Sequence, residues 1–235
     1  MTSPVRSMIS AVDSACAAAV IAMLLVQTAA AQAPAAETAP ALAQALQRKY
    51  DGIHDFSADF VHTYRGGVLK KEAVEKGRLF VKKPGKMRWE YASPEEKLFV
   101  SDGIKMYSYI PQDKQVMVQS IPQNDQVSMP TMFLTGKGNL SRDFTPSIAE
   151  ASKGAPPGTL ALKLVPRTSQ ADYDWLILEI APKTLELRGL VTADAQGGRS
   201  SFSFTNLKEN PGIADKLFAF TIPRGVDVIT DSPSR

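Results

Sequence analysis

The chain has 235 residues, of which 44% are apolar and 22% charged, and its formal net charge at pH 7 is +3. A chain of this size and composition can bury a large hydrophobic core. Its mild positive charge is far from the concentrated basic surface of nucleic-acid-binding proteins, so we expect no nucleic-acid partner.

The first 31 residues have the features of a secretory signal peptide. Arg6 precedes an apolar run over 15–26, and small residues follow up to Ala31, after which we expect cleavage. The run is shorter than the roughly 20 residues of a membrane-spanning helix. Asp13 is unusual in a signal, however, and leaves a retained anchor as the alternative. The only cysteine, Cys16, lies here, so the mature chain is expected to contain no thiol or disulfide.

The rest of the chain is expected to form one domain, 41–235, behind a flexible leader, 32–40, that lacks hydrophobic periodicity. Leu42, Ala45 and Leu46 recur at helical spacing and predict a short amphipathic helix over 41–50. Segments rich in aromatic and β-branched residues follow and predict eleven strands. These are 55–64, 75–83, 86–92, 97–101, 105–110, 115–121, 160–166, 174–181, 184–194, 200–209 and 218–222.

Short connections favour an antiparallel sheet. The turns after residues 83, 93, 102 and 111 are too short to hold a crossover helix, and Gly197-Gly198 indicates a further hairpin. Between the two groups of strands, Pro130 and Gly136 bound a predicted second helix over 129–134. The predicted fold is therefore mainly β: an antiparallel sheet of about eleven strands covered by short helices.

Several predicted strands place bulky apolar side chains on one face and polar ones on the other. We assign to the apolar face Phe56, Ala58, Phe60, Leu79, Val81, Met87, Trp89, Tyr91, Leu98 and Val100. Two short helices offer little cover for so broad a face. It is therefore either an ordinary core or, if the sheet curves strongly, the wall of an apolar cavity suited to alkyl chains.

No pattern of catalytic or cofactor-binding residues stands out. The sequence has no GxSxG, P-loop, GxGxxG or HExxH motif, so we expect no catalysis, cofactor or metal. His54 and His62 are eight residues apart and are interpreted as isolated sheet histidines, since no recognised ligand spacing accompanies them.

The order of motifs along the chain resembles the LolA family of periplasmic lipoprotein carriers. The resemblance rests on the segment 80–91 with the sequence FVKKPGKMRWEY, on LFVSDG at 98–103, on DFSADF at 55–60 and on FAFTIPRGV at 218–226. It implies an incomplete, half-open antiparallel β-barrel with a helical lid over a hydrophobic interior. It also implies a periplasmic location and a monomeric carrier that moves lipid-modified proteins from the inner to the outer membrane.

The resemblance also implies partners and a latch. The partners are the acyl chains of the cargo, an inner-membrane ATP-driven releasing complex, and an outer-membrane receptor or the membrane surface. The family has an arginine before the turn proline, bonded to carbonyls of the lid helix. Lys83 stands there in this chain and lacks the planar fork of arginine. On the lid, the matching apolar residues are Leu42, Leu46, Met132, Phe133 and Leu134.

Two other functions remain open from the sequence. One is a sensor on the same fold that binds lipid or lipoprotein to regulate the envelope; related sensors carry an extra C-terminal domain, which we do not expect here. The other is an envelope hydrolase, for which no nucleophile constellation is recognisable.

Overall fold

The computed structural model describes residues 38–66, 72–121, 134–136, 138–169, 173–194 and 196–230. Helix α1 (Ala39–Asp51) begins after Thr38, whose hydroxyl accepts a hydrogen bond from the Ala41 amide, as an N-cap residue does. It ends at Gly52. The predicted helix over 41–50 is thus confirmed and is extended by up to two residues at each end. Among the described residues no helix is long and apolar enough to cross a bilayer.

Twelve strands of the described chain form one sheet. They are β1 (Asp55–Arg65), β2 (Glu72–Lys82), β3 (Lys86–Ser93), β4 (Lys97–Asp102), β5 (Lys105–Ile110), β6 (Gln115–Ser120), β7 (Phe144–Ala149), β8 (Leu160–Pro166), β9 (Trp175–Ile180), β10 (Leu187–Ala193), β11 (Arg199–Glu209) and β12 (Asp227–Thr230). Their order is β12-β6-β5-β4-β3-β2-β1-β11-β10-β9-β8-β7. Because β12 and β7 lie at opposite edges, the sheet is open, as an incomplete barrel requires.

Ten of the predicted strands are confirmed with small shifts at their ends, and their hairpin neighbours pair antiparallel. The prediction of a strand over 218–222 is wrong. That segment follows a 3₁₀ turn (Asp215–Phe218), and the chain rejoins the sheet only at β12, which pairs parallel with β6. The aromatic residues that suggested a strand pack against a sheet face instead: the Phe220 ring lies 5.3 Å from that of Tyr107.

Sequence reasoning missed β7 and the four-residue helix α2 (Leu140–Asp143). Strand β7 contains Pro146 and few bulky apolar residues, and a proline is tolerated in a strand that has a neighbour on one side only. The predicted helix over 129–134 lies outside the described residues except for Leu134. The predicted signal peptide and most of the leader also lie outside them.

A C-terminal segment, 210–226, which we call the strap, crosses the outer face of β2 and β3. Asp55 accepts hydrogen bonds from the backbone amides of Gly212 and Ile213, both at 3.1 Å. Lys82 donates to the Ile213 carbonyl at 2.8 Å, and Lys86 lies 2.7 Å from the Asp215 carboxylate. Basic residues near the β2–β3 turn thus hold the strap to the sheet.

Candidate functional site

One face of the sheet carries most of the predicted apolar residues. The register places Phe56 opposite Val81 and Val81 opposite Met87, so the three side chains share a face. Ala58, Leu79 and Trp89 form the next row, and Phe60 and Tyr91 flank Gly77 in the row after it. Met87 and Trp89 are only 1% and 4% exposed. The centre of this face is thus buried, whereas Tyr91 at its end is only partly buried.

The sheet is strongly curved, with this face on the inside. Strands β3 and β11 are three positions apart in the sheet, and in a flat sheet they would be about 14 Å apart. The rings of Trp89 on β3 and Phe202 on β11 have centroids only 5.0 Å apart. Phe60 on β1 packs edge-on against both rings. The apolar side chains therefore converge on the concave face of an open barrel.

A cavity of about 230 Å³ remains on this concave face. Side chains from β3, β4, β5, β6 and β11 line it: Met87, Trp89, Tyr91, Phe99, Met106, Ser108, Gln119 and Phe202. Two methionines give the wall flexible thioether side chains that adapt to the shape of an apolar guest. The Trp89 indole N–H lies 3.3 Å from the Met87 sulfur, which satisfies the buried donor without water.

The predicted placement of Leu98 and Val100 on the cavity wall is wrong. The register places Leu98 opposite Glu90 and Val100 opposite Arg88, on the convex face. Their neighbour Phe99 lies opposite Trp89 and points to the cavity. The error arose because β4 carries apolar residues on both faces, so its sequence does not show which face points to the cavity. Strand β3 does alternate between apolar and polar residues, and its pairing with β4 shows which face of β4 that is.

Helix α1 covers part of the concave face. Leu42, Leu46 and Tyr50 are buried in the same hydrophobic cluster as Phe56, Val81 and Met87. Leu134 is buried there as well, whereas Met132 and Phe133 lie outside the described residues. Helix α1 packs chiefly against α2, β7 and β8. The cavity over β3–β6 lies on the other half of the sheet.

Lys83 joins the β2–β3 turn to the end of helix α1. Its ammonium donates a hydrogen bond to the Tyr50 carbonyl oxygen and lies 5.5 Å from the centre of the Tyr50 ring. A cation at a helix C-terminus is favoured by the helix dipole. Burial lowers the pKa of Lys83, and the nearby Asp51 carboxylate only partly opposes that effect. The aliphatic stem of Lys83 packs on Gly136, where an added Cβ would lie 2.8 Å from Lys83 Cδ.

A polar cluster around His62 borders the cavity beside Tyr91 and Phe202. From the sequence, His62 is interpreted as an isolated sheet histidine. That interpretation is wrong, because His62 Nδ1 lies 3.1 Å from Glu75 Oε2 and Nε2 lies 2.6 Å from Ser200 Oγ. The Lys97 ammonium donates to Glu75 Oε1 at 2.6 Å. The His62 ring stacks on Phe202 at 4.2 Å between centroids. No linear motif announces this cluster, since four strands contribute to it.

Burial and pairing set the charges of this cluster. Burial lowers the pKa of His62 and outweighs the hydrogen bond and charge of Glu75, which act in the opposite direction. For Glu75, burial raises the pKa, but hydrogen bonds and charge from Lys97 and His62 prevail, so the pKa of Glu75 is lower than usual. The histidine is therefore neutral and the glutamate ionised at pH 7.

The arrangement is suited to binding an apolar guest. Within the described residues, no group of three or more His, Cys, Asp or Glu side chains could hold a metal ion. The concave face offers apolar and aromatic surface, a space that is partly open, and hydrogen-bonding groups at one end. Such a site can hold an apolar chain that carries a polar head.

Comparisons with known sequences agree with an apolar-binding site. Residues 51–221 match the family model described as "Outer membrane lipoprotein carrier protein LolA". The chain is 31% identical over 191 residues to an outer-membrane lipoprotein carrier protein of Chromohalobacter salexigens, covering 80% of this chain and 87% of the relative. A second such protein, from Methylobacillus flagellatus, is 33% identical over 162 residues, covering 68% of this chain and 74% of the relative. Among solved structures, the chain is similar to an uncharacterized conserved protein of Thermus thermophilus, with a TM-score of 0.49 and 15% identity, over 80% of this chain and 98% of that one.

Proposed function

The chain belongs to the LolA family of outer membrane lipoprotein carrier proteins, and on that premise we propose that it is a periplasmic carrier of lipid-modified proteins. It holds the acyl chains of its cargo against the concave face of the open barrel and shields them from water. It performs no covalent chemistry, so that loading and release are binding steps alone.

The observation that carries the proposal is the cavity lined by Met87, Trp89, Phe99, Met106 and Phe202. Each methylene moved from water into such a site contributes roughly 0.8 kcal/mol. Acyl chains therefore gain affinity in proportion to their buried length. No specific polar contact is needed for most of the binding energy.

The cavity must enlarge to admit cargo. Its volume of about 230 Å³ is below the range of about 300–1,000 Å³ that is typical of small-molecule sites, and a lipid-modified protein carries more than one acyl chain. Displacing α1 would release Leu42, Leu46 and Tyr50 from the apolar cluster and extend the free surface. We therefore propose that α1 is the lid, with Leu134 as part of it, and that Lys83 is the latch that holds it closed.

We further propose the route that the family implies. An inner-membrane ATP-driven releasing complex loads the protein, which delivers its cargo to an outer-membrane receptor or to the membrane surface. Release requires an acceptor, because the acyl chains would otherwise return to water.

The proposal is tested with purified mature protein and membranes that contain the releasing complex, ATP and a lipid-modified protein. We expect ATP-dependent transfer of the acylated protein into a soluble one-to-one complex, and no transfer of an unacylated form. Met106→Asn, inside the cavity, should reduce the transfer, whereas Lys105→Asn, its neighbour on the convex face, should leave it unchanged. The proposal fails if the acylated protein stays in the membrane.

A further inference from the structure

A polar cluster lies at the end of the cavity and shares a residue with the cavity wall. We call it the His62 cluster; it comprises His62, Glu75, Tyr91, Lys97 and Ser200. Tyr91 belongs both to the cavity wall and to the cluster, since its hydroxyl oxygen lies 3.5 Å from His62 Nδ1. The side chains of Glu75 and Lys97 are 14% and 25% exposed. An apolar chain in the cavity would thus end beside these groups.

The protons of the cluster can be placed from its geometry. Glu75 accepts from Lys97 and is ionised, so its contact with His62 Nδ1 requires the proton to be on that nitrogen. Nε2 of the neutral ring is then an acceptor, and the Ser200 hydroxyl donates to it. Tyr91 cannot donate to a nitrogen that already carries a proton, and no other described residue accepts from the Tyr91 hydroxyl.

Donor capacity therefore remains at the end of the cavity. The Tyr91 hydroxyl has one donor, and the Lys97 ammonium has three, of which one is directed to Glu75 in the described part of the chain. Both residues lie on the concave face, directly opposite each other on β3 and β4. A ligand group that lies between the cavity and these two side chains would therefore need to be a hydrogen-bond acceptor.

We propose that the His62 cluster binds the ester carbonyl groups of the glycerol head that joins the acyl chains to the cargo, with Tyr91 and Lys97 as the donors. This inference rests on the proposed function and specifies how that site recognises the polar part of its cargo.

Charge favours a neutral acceptor over an anion. The Lys97 charge is already compensated by Glu75 at 2.6 Å, so the carboxylate of a free fatty acid or the phosphate of a phospholipid would meet the negative charge of Glu75 in a poorly hydrated site. An ester carbonyl accepts hydrogen bonds without adding charge. The cluster thus selects diacylglyceryl heads over anionic lipids.

The test compares two synthetic lipopeptides that differ only at the head. One carries its two chains on glycerol through ester bonds, and the other through ether bonds, which lack the carbonyl oxygens. We expect the mature protein to bind the ester form about fivefold to thirtyfold more tightly, which corresponds to one or two hydrogen bonds. Tyr91→Phe and Lys97→Met should each reduce this preference, because each loses more affinity for the ester form than for the ether form. Lys105→Met, on the convex face, is the matched control and should keep the preference.

The outcomes separate this inference from the carrier function itself. Equal binding of the ester and ether forms by the unaltered protein would overturn the role of the His62 cluster and leave the carrier proposal standing. An equal loss of both affinities in Tyr91→Phe would also overturn it, because that pattern indicates a structural role. Failure of the protein to bind either lipopeptide would refute the carrier proposal as well.

Discussion

Replacing Lys83 by methionine is expected to loosen helix α1. The substitution keeps an unbranched apolar stem against Gly136 but removes the hydrogen bond to the Tyr50 carbonyl and the contact with the Tyr50 ring. A hydrogen bond from a charged donor contributes about 1.5–3 kcal/mol. Part of that is offset, because methionine no longer bears the cost of burying an ammonium group, the same cost that lowers the pKa of Lys83. The net loss is about 1–2 kcal/mol.

A loss of this size raises the population of the open state about fivefold to thirtyfold. Hydrogen exchange of the α1 amides, followed at Leu42 and Leu46, measures that population directly. Lys86→Met is the matched control, since Lys86 belongs to the same hairpin but is paired with Asp215 on the strap. Lys83→Arg should slow exchange in α1, because the planar fork can reach more than one carbonyl. If exchange in Lys83→Met equals that of the unaltered protein, Lys83 does not hold α1 closed.

Three further predictions concern the sheet and its cavity. Gly77→Ala should lower the free energy of unfolding, measured in urea, by about 1–3 kcal/mol, because a Cβ there would lie 2.0 Å from a backbone oxygen of the next strand. Gly52→Ala is the control and should be nearly neutral, since its Cβ meets only an ordinary van der Waals contact. Equal losses of stability in the two variants would contradict the close approach of β2 and β3 at Gly77. His62 has a lowered pKa in the folded state, so the unfolded chain binds more protons below about pH 6.5 and stability falls as the pH decreases from there. In His62→Gln, thermal unfolding should depend less on pH between about 5 and 6.5, and an unchanged slope would refute the assignment. Phe99→Ser should weaken binding of an acylated lipopeptide about tenfold, whereas Leu98→Ser should not, since their side chains lie on opposite faces; a reversed order would contradict the register.

Local pattern was sufficient for most of the fold. Alternation in β3 places Met87, Trp89 and Tyr91 on one face, and the pairing with β2 confirms it. The turns at Gly103 and Gly197 separate confirmed strands. Such features involve residues close in sequence, whose steric and hydrogen-bonding preferences act whatever the rest of the chain does.

The remainder depends on contacts between distant segments. Strand β1 pairs with β11, about 140 residues later, and only this pairing brings Phe202 to Trp89 and Ser200 to His62. The parallel addition of β12 to β6 likewise follows from the path of the strap. Residues such as Phe99 in β4 could not be assigned to a face because their own strand is apolar on both sides. The cavity wall and the His62 cluster therefore emerge only from the sheet topology.

The location of the acyl chains can be measured with the two tryptophans of the chain. Trp89 lines the cavity, whereas Trp175 lies in a separate cluster, with Lys163 and Arg199 within about 5 Å of its ring. Trp175→Phe and Trp89→Phe each leave one tryptophan, and a lipopeptide with brominated acyl chains quenches only a ring that it contacts. We predict strong quenching of Trp89 in the first variant and none of Trp175 in the second. Quenching of Trp175 without quenching of Trp89 would contradict an acyl-binding site on the concave face.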